Sequence, residues 1–164
     1  MNTQDNHKIL ANLIKDISFD KQLSQSDKIN AISQLLSAQS GFDALDQIAK
    51  ELSNLSSHLK SHSNRFLRFF KSNPLQDAMN ILMNFYVHKI KIEIEKEFRQ
   101  KDITQYSDKG CELFNRRLLG AFNLHENTFK AMFKVNKSTF ATLYDKNRQR
   151  PEHELTAESR ERMQ

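Results

Sequence analysis

The stretch that decides the fold class is "KSNPLQDAMNILMNFYVHKIKIEIEKEFRQK", residues 71–101. Asn73 is placed to cap a helix, Pro74 suits a first helical turn, and Asp77 favours the positive end of the helix dipole. Apolar residues then recur at helical spacing, at Leu75, Met79, Leu82, Phe85 and Tyr86. These signals predict one long central helix.

The second half of this stretch carries a competing signal. Ile90, Ile92 and Ile94 alternate with charged residues, which is typical of a strand. Lysine and glutamate also recur four residues apart, a spacing that stabilises helices, in the pairs Lys89 with Glu93 and Lys91 with Glu95. We interpret residues 87–98 as helix, and a strand here would contradict an all-α fold.

The composition favours a multi-helix, all-α bundle. The 164 residues include only three glycines and two prolines, so breakers are few. The single cysteine, Cys111, excludes an internal disulfide framework and favours a reduced compartment. The first residues do not resemble a signal peptide, and no apolar run is long enough to span a membrane. We therefore expect a cytoplasmic protein without a membrane partner.

The N-terminal part predicts three helices. The first buries one apolar face between Ile9 and Ile17, and the second covers about residues 25–39, with Ser24 and Asp27 as a capping pair. The third carries leucine and isoleucine at alternating spacings of three and four, at Leu45, Ile48, Leu52, Leu55 and Leu59. This run fits a helix in the protein's own bundle, and the alternative is a seam between two chains of a homodimer.

Charge and composition suggest a division into residues 1–106 and 107–164. The first part is an N-terminal helical region that serves dimerisation or partner binding. The second begins with a helix over about 108–121, with Ser107 or Asp108 available to cap it and Gly120 near its expected end. Positive charge is concentrated in residues 60–101 and 126–150, which favours polyanionic partners.

The stretch "FKAMFKVNKSTFATLYDKNRQRP", residues 129–151, fits two short helices with a turn at 134–136 and a second helix over about 137–146. The positions expected to be buried are all apolar, namely Phe129, Phe133, Val135, Phe140 and Leu143. The positions expected to face outward are small or polar, namely Asn136, Lys137, Ser138, Ala141, Thr142 and Asp145. The alternative is a helical hairpin whose lysines form a solvated face.

The run "FKVNKSTFATLY", residues 133–144, resembles the turn and recognition helix of bacterial and phage helix-turn-helix regulators. The resemblance covers about 20 of the 164 residues, and Lys130 and Lys134 stand where such motifs usually have small residues. It implies duplex DNA as the partner. The implied base contacts are Asn136, Lys137, Ser138, Ala141 and Thr142, and the implied phosphate contacts are Lys134, Lys146, Arg148 and Arg150.

The sequence therefore predicts a non-enzymatic DNA-binding regulator of transcription or replication. The alternative is a helical interaction module, an inhibitor or adaptor that binds a protein partner through its N-terminal helices. No phosphate-binding glycine loop, nucleophile elbow or carboxylate pair is present. His58 and His62 lie four apart, but no third ligand is evident, so neither a metal nor a cofactor is expected. Cys111 is expected to be a buried apolar residue.

Two further segments are harder to interpret. Residues 60–72, "KSHSNRFLRFFKS", interleave basic and aromatic residues. This pattern favours a core helix with basic residues at its edge, and a nucleic-acid surface or a membrane or partner groove stays open. Residues 155–164 predict a short terminal element.

Overall fold

The computed structural model describes residues 3–39, 41–62 and 73–154, with side chains described for 5–39, 41–59 and 73–154. The described residues form seven α-helices and a final 3-10 turn, and they contain no strand. The all-α class is confirmed. The helices are α1 (Thr3–Phe19), α2 (Gln25–Ser37), α3 (Phe42–His62), α4 (Pro74–Gln100), α5 (Asp108–Leu124), α6 (Glu126–Asn136) and α7 (Phe140–Asn147), followed by the turn Glu152–Glu154.

Helix α4 settles the ambiguity of its second half. It begins where predicted, because the Asn73 side-chain oxygen accepts a hydrogen bond from the Leu75 backbone N–H at 3.0 Å, and it continues for 27 residues. The buried positions in its second half follow helical spacing, at Val87, Ile90, Ile94 and Phe98. Ile92 is instead 44% exposed. The helical interpretation of 87–98 is confirmed.

The contacts divide the chain into two units, and each unit consists of two separate stretches of the sequence. The first comprises the described residues of Met1–Tyr86 and Asn127–Ser138, and the second those of Val87–Glu126 and Thr139–Gln164. The division at residue 106 that composition suggested stays a prediction. Both α4 and α6 have residues in each unit, so no single position in the sequence separates them.

In the first unit, α1 packs against α2 and α3. The predicted leucine and isoleucine run lies on α3, where Leu45, Ile48 and Leu52 are buried within the chain and Leu55 and Leu59 are half-buried. This burial favours the interpretation in which α3 packs into the protein's own bundle. The homodimer stays a prediction.

The capping predictions give accurate helix starts and less accurate ends. Ser24 caps α2 by accepting a hydrogen bond from the Asp27 N–H at 3.1 Å, and Ser107 caps α5 in the same way from Gly110. Helix α5, however, continues to Leu124. The expectation that Gly120 helps to end it was wrong, because the backbone hydrogen bonds continue until the N–H of His125 donates to Ala121.

In the second unit, α4 and α5 pack against each other. The Phe98 and Phe114 rings meet edge to face with centroids 5.9 Å apart, and Arg117 forms an ion pair with Glu97 at 2.9 Å. Helix α5 also contacts α7. The buried apolar residues of this unit are Val87, Ile90, Ile94, Phe98, Cys111, Phe114, Leu118, Phe122 and Leu143.

Helix α4 ends in a Schellman motif with an unusual residue at its centre. The Ile103 N–H donates to Phe98 O at 2.9 Å, and the Asp102 N–H donates to Arg99 O at 3.3 Å. This pattern requires a left-handed residue, usually glycine, and Asp102 supplies it with φ 56°. Asp102 also places a negative charge at the negative end of the helix dipole.

We expect Asp102→Gly to raise the free energy of unfolding by about 1 kcal/mol, because glycine adopts this backbone conformation without a steric penalty. Chemical denaturation monitored by circular dichroism measures the change. The control is Asp102→Ala, which removes the charge but keeps a Cβ. Equal stability of the two variants would show that the backbone conformation at Asp102 is not the cause.

Three earlier interpretations lie outside the described residues or side chains. These concern the basic and aromatic stretch 60–72, the terminal element 155–164, and the His62 side chain.

Candidate nucleic-acid interface

Helix α6, which belongs to the first unit from Asn127 onward, separates its apolar and basic residues onto opposite sides. Phe129, Met132 and Val135 are buried. Lys130 and Lys134, one turn apart, are exposed on the other side, and Lys137, just beyond the end of the helix, is also exposed. We call Lys130, Lys134 and Lys137 the lysine face.

The turn after α6 lies further along the chain than predicted. Residues 134–136 are helical, and the connection is formed by residues 137–139. Lys137 adopts φ 62° while its N–H donates to Phe133 O at 2.6 Å. The left-handed residue of this connection is therefore Lys137 rather than Lys134.

Two of the residues implied as base contacts are engaged within the first unit. The Asn136 side-chain amide donates to the Gln76 carbonyl at 3.1 Å. Its oxygen accepts a hydrogen bond from the Ser138 hydroxyl at 2.7 Å. Both side chains are half-buried. In this arrangement Asn136 and Ser138 hold the end of α6 against the start of α4.

Helix α7, in the second unit, begins at a strong cap. The Thr139 hydroxyl accepts a hydrogen bond from the Thr142 N–H at 3.2 Å, and the two threonine hydroxyls are 3.0 Å apart. Leu143 is buried. The exposed side chains form what we call the polar face of α7, namely Ala141, Thr142, Asp145 and Lys146.

The backbone after α7 is held against α5 by one side chain. The Asn115 amide group donates to Gln149 O at 2.9 Å, and its oxygen accepts from the Gln149 N–H at 2.7 Å. The Glu152 N–H also donates to Tyr106 O at 3.2 Å. We call residues 148–150 the arginine arm, because Gln149 is flanked by Arg148 and Arg150.

The cations of this region differ in whether they have acidic partners. In α5, Arg116 pairs with Glu112 at 3.1 Å, and in the arm Arg148 pairs with Asp145 at 3.4 Å. Within the described part of the chain, no ion pair is found for Lys134, Lys137, Lys146 or Arg150, and all four are exposed. These four cations remain available to an anionic ligand.

Glu97, by contrast, is an acidic residue with two basic partners. A hydrogen bond from Lys101 at 2.9 Å, followed by the charge of Arg117, holds the pKa of this carboxyl below its usual range. Lys101 and Arg117 therefore share one carboxylate. The positive charge of residues 60–101 is partly neutralised at this end.

The helix-turn-helix stays a prediction, and the burial of the residues on which it was based is mixed. Phe129, Val135 and Leu143 are buried, whereas Phe133 and Phe140 are only half-buried. None of the six positions expected to face outward is fully buried. The lysine face belongs to the first unit, and the polar face of α7 and the arginine arm belong to the second. Sequence reasoning missed Asn115, since nothing near it in the sequence indicates a partner at Gln149.

Cys111 is buried, and its thiol lies 3.1 Å from the Gln105 carbonyl oxygen, to which it donates. Burial, with smaller contributions from Asp108 and Glu154, raises the pKa of this thiol. A raised pKa keeps the sulfur protonated and therefore a poor nucleophile.

A cleft of about 450 Å³ lies at the start of α5, lined by Tyr106, Ser107, Asp108, Glu152 and His153. Within this cleft, His153 Nδ1 lies 3.7 Å from Asp108 Oδ1, and both side chains are largely exposed. Across the described residues, no three His, Cys, Asp or Glu side chains are grouped to hold a metal ion. No described helix combines the length and hydropathy needed to cross a membrane.

Comparison with protein-family models, with curated protein sequences and with solved structures gave no significant match.

Proposed function

We propose that the protein binds duplex DNA through its basic C-terminal region, as a small regulator of transcription or replication. The observation that carries this proposal concerns four cations of the basic segment 126–150. Lys134, Lys137, Lys146 and Arg150 are all exposed, and none has an ion-pair partner among the described residues. A duplex carries closely spaced phosphates, so exposed cations gain from contacting it and displacing its counterions.

The proposed roles follow from exposure and from the state of each side chain. Lys137, Ala141 and Thr142 are exposed and are the proposed base contacts. Lysine suits guanine, and small side chains can contact the thymine methyl. Asn136 and Ser138 are engaged with Gln76 and with each other, so the proposal does not depend on them. The proposed phosphate contacts are Lys134, Lys146, Arg148 and Arg150.

The polar face of α7 also contains an acidic residue. Asp145 forms an ion pair with Arg148 at 3.4 Å, and its side chain is 74% exposed. A carboxylate near a phosphate is repelled, and it also competes with the phosphate for the guanidinium group. Asp145 would thus lower the affinity for any DNA duplex and disfavour positions of the duplex that bring a phosphate close to it.

The affinity for duplex DNA should depend steeply on salt. If three to five cations contact phosphates, the logarithm of the affinity falls against the logarithm of salt concentration with a slope of about −3 to −5. Replacing Lys134 or Lys146 by Gln should reduce this slope by about 1 without changing sequence preference. Duplexes selected from a random pool, titrated by fluorescence anisotropy at several salt concentrations, provide the measurement.

Substitutions in the proposed base contacts should behave differently. Lys137→Gln and Thr142→Ala should reduce the preference for the selected duplex over a scrambled one, by about 1–3 kcal/mol for a lost base contact. The control is Lys50→Gln, which removes an exposed lysine of α3. If the wild type does not bind duplexes at low salt, or if Lys137 and Thr142 have no effect, the proposal is incorrect.

A second candidate function is a helical interaction module, and one observation favours it. Ile9 and Leu13, one turn apart on α1, are 53% and 43% exposed, and Asp5 and Asp16 beside them are exposed as well. Lys8 and Lys15 flank the same strip, and Lys15 lies 3.9 Å from Asp16. The strip therefore has neighbours of both charges and fits an amphipathic partner helix. Ile9→Ser with Leu13→Ser should leave DNA binding unchanged if DNA is the partner of the C-terminal region.

A further inference from the structure

The arginine arm is held by a pair of hydrogen bonds that resembles the pairing of two β-strands. Asn115 lies on α5, and its single side-chain amide satisfies both the N–H and the carbonyl of Gln149, at 2.7 Å and 2.9 Å. The backbone at Arg148 is extended, with φ −60° and ψ 146°. Without Asn115, the N–H and carbonyl of Gln149 would have to form hydrogen bonds with water instead.

The anchor lies at Gln149, between the two arginines of the arm. Arg148 precedes it and Arg150 follows it, and Glu152 provides a second attachment through its hydrogen bond to Tyr106 O. The arm is therefore fixed to the second unit at two points, while the Arg150 side chain stays exposed. Fixing a binding segment in advance reduces the conformational entropy that is lost when a ligand binds.

We propose that Asn115 is a positioning residue that holds Arg148 and Arg150 in place for contact with DNA phosphates, an inference that rests on the proposed function. Asn115 itself is half-buried and acts through the Gln149 backbone. Its effect on DNA binding is therefore indirect, and it depends on the presence of the two arginines. Base preference does not depend on it, because phosphate contacts carry no direct sequence information.

The first test uses the free protein. Asn115→Ala should increase the rate of trypsin cleavage after Arg148 by about tenfold, because the arm opens more often when its anchor is lost. Asn123→Ala is the matched control, since Asn123 is an exposed asparagine on the same helix. Asn115→Asp keeps the acceptor for the Gln149 N–H but loses the donor, and it should give an intermediate cleavage rate.

The second test uses the selected duplex. Asn115→Ala should bind roughly tenfold more weakly with a smaller salt slope, while the ratio of affinities for selected and scrambled duplexes stays the same. In the wild-type background, replacing Arg148 and Arg150 together by Gln should strongly lower the affinity for the selected duplex. The same replacement in the Asn115→Ala background should have a clearly smaller effect, because coupled residues are not additive.

The outcomes separate this inference from the proposed function. A wild type that binds no duplex overturns both. A wild type that binds, together with an Asn115→Ala variant of unchanged affinity and slope, overturns the positioning role alone. Additive effects of Asn115 and the two arginines also contradict it. A partly unfolded Asn115→Ala variant would change base preference and cleavage at many sites, whereas the Asn115→Asp variant tests the same hydrogen bonds with a smaller structural change.

Discussion

Gly110→Ala is expected to lower the free energy of unfolding by about 3 kcal/mol, although alanine normally stabilises a helix relative to glycine. Gly110 is buried in the first turn of α5, and its N–H donates to the Ser107 side-chain oxygen at 3.0 Å. A Cβ at this position would collide with the backbone carbonyl of Thr104 and would lie 2.9 Å from the Ser107 hydroxyl oxygen.

This collision cannot be relieved by the rotation of a side chain, because the Thr104 carbonyl belongs to the backbone. The Ser107 hydroxyl also donates to Thr104 O at 3.1 Å. Moving the carbonyl would therefore break this hydrogen bond and disturb the cap of α5. The loss of a cap alone costs about 1 kcal/mol, and forcing extra atoms into a packed site typically costs 1–3 kcal/mol.

Gly120→Ala provides a matched control on the same helix. Gly120 is exposed, and an added Cβ there would meet no atom within 4 Å. The same substitution should therefore raise the free energy of unfolding by about 0.5–1 kcal/mol. Far-ultraviolet circular dichroism during urea denaturation suits both variants, since the chain lacks tryptophan. Equal stability of the two variants would show that the segment around Thr104 moves aside without cost.

Local rules in the sequence predicted the helices and most of their starting points. Ser24, Asn73 and Ser107 cap their helices as their residue types suggest. The helical interpretation of 87–98 was correct although the isoleucines alternate, because only Ile90 and Ile94 of the three are buried. Capping and periodicity depend on neighbours within a few residues, so they can be read from the chain directly.

Contacts between distant residues could not be predicted in the same way. The turn after α6 lies at 137–139, and Asn136, the last residue of α6, donates to Gln76 in α4, a partner far away in the sequence. Asn115 has no local feature that indicates its role, since its partner Gln149 is 34 residues away. Of the lysine face, the sequence placed only Lys137 among the outward positions, and it gave no signal for Asn115, which holds the arginine arm.

The hydrogen bonds of Asp46 are expected to contribute strongly to the free energy of unfolding. Asp46 Oδ1 accepts from the Tyr86 hydroxyl at 2.7 Å and from the Thr128 hydroxyl at 2.8 Å, which connects α3, α4 and α6 within the first unit. Hydrogen bonds to a charged group contribute about 1.5–3 kcal/mol each. Asp46→Ala should therefore lower the free energy of unfolding by about 3 kcal/mol. Asp46→Asn keeps an oxygen acceptor and should cost about 1 kcal/mol.

The same cluster should make the stability sensitive to alkaline pH. Tyr86 is 0% exposed, and burial, followed by the hydrogen bond to Asp46 and its negative charge, raises the pKa of Tyr86. In the unfolded chain a tyrosine loses its proton near pH 10. Above that pH the native state keeps a proton that the unfolded state has lost, so Tyr86 makes the free energy of unfolding fall by about 1.4 kcal/mol per pH unit. Below pH 10 this contribution is fully present.

Tyr86→Phe removes this titration and therefore isolates it. The variant should be less stable than the wild type at neutral pH, because it lacks the hydrogen bond to Asp46, and the difference should shrink as the pH rises above 10. Other groups titrate equally in both proteins and cancel in the comparison. Tyr106→Phe retains Tyr86 and should keep the alkaline dependence of the wild type. If the wild type and Tyr86→Phe lose stability in parallel above pH 10, then the native state does not hold the Tyr86 proton. In that case the Asp46 hydrogen bond does not contribute the stability assigned to it.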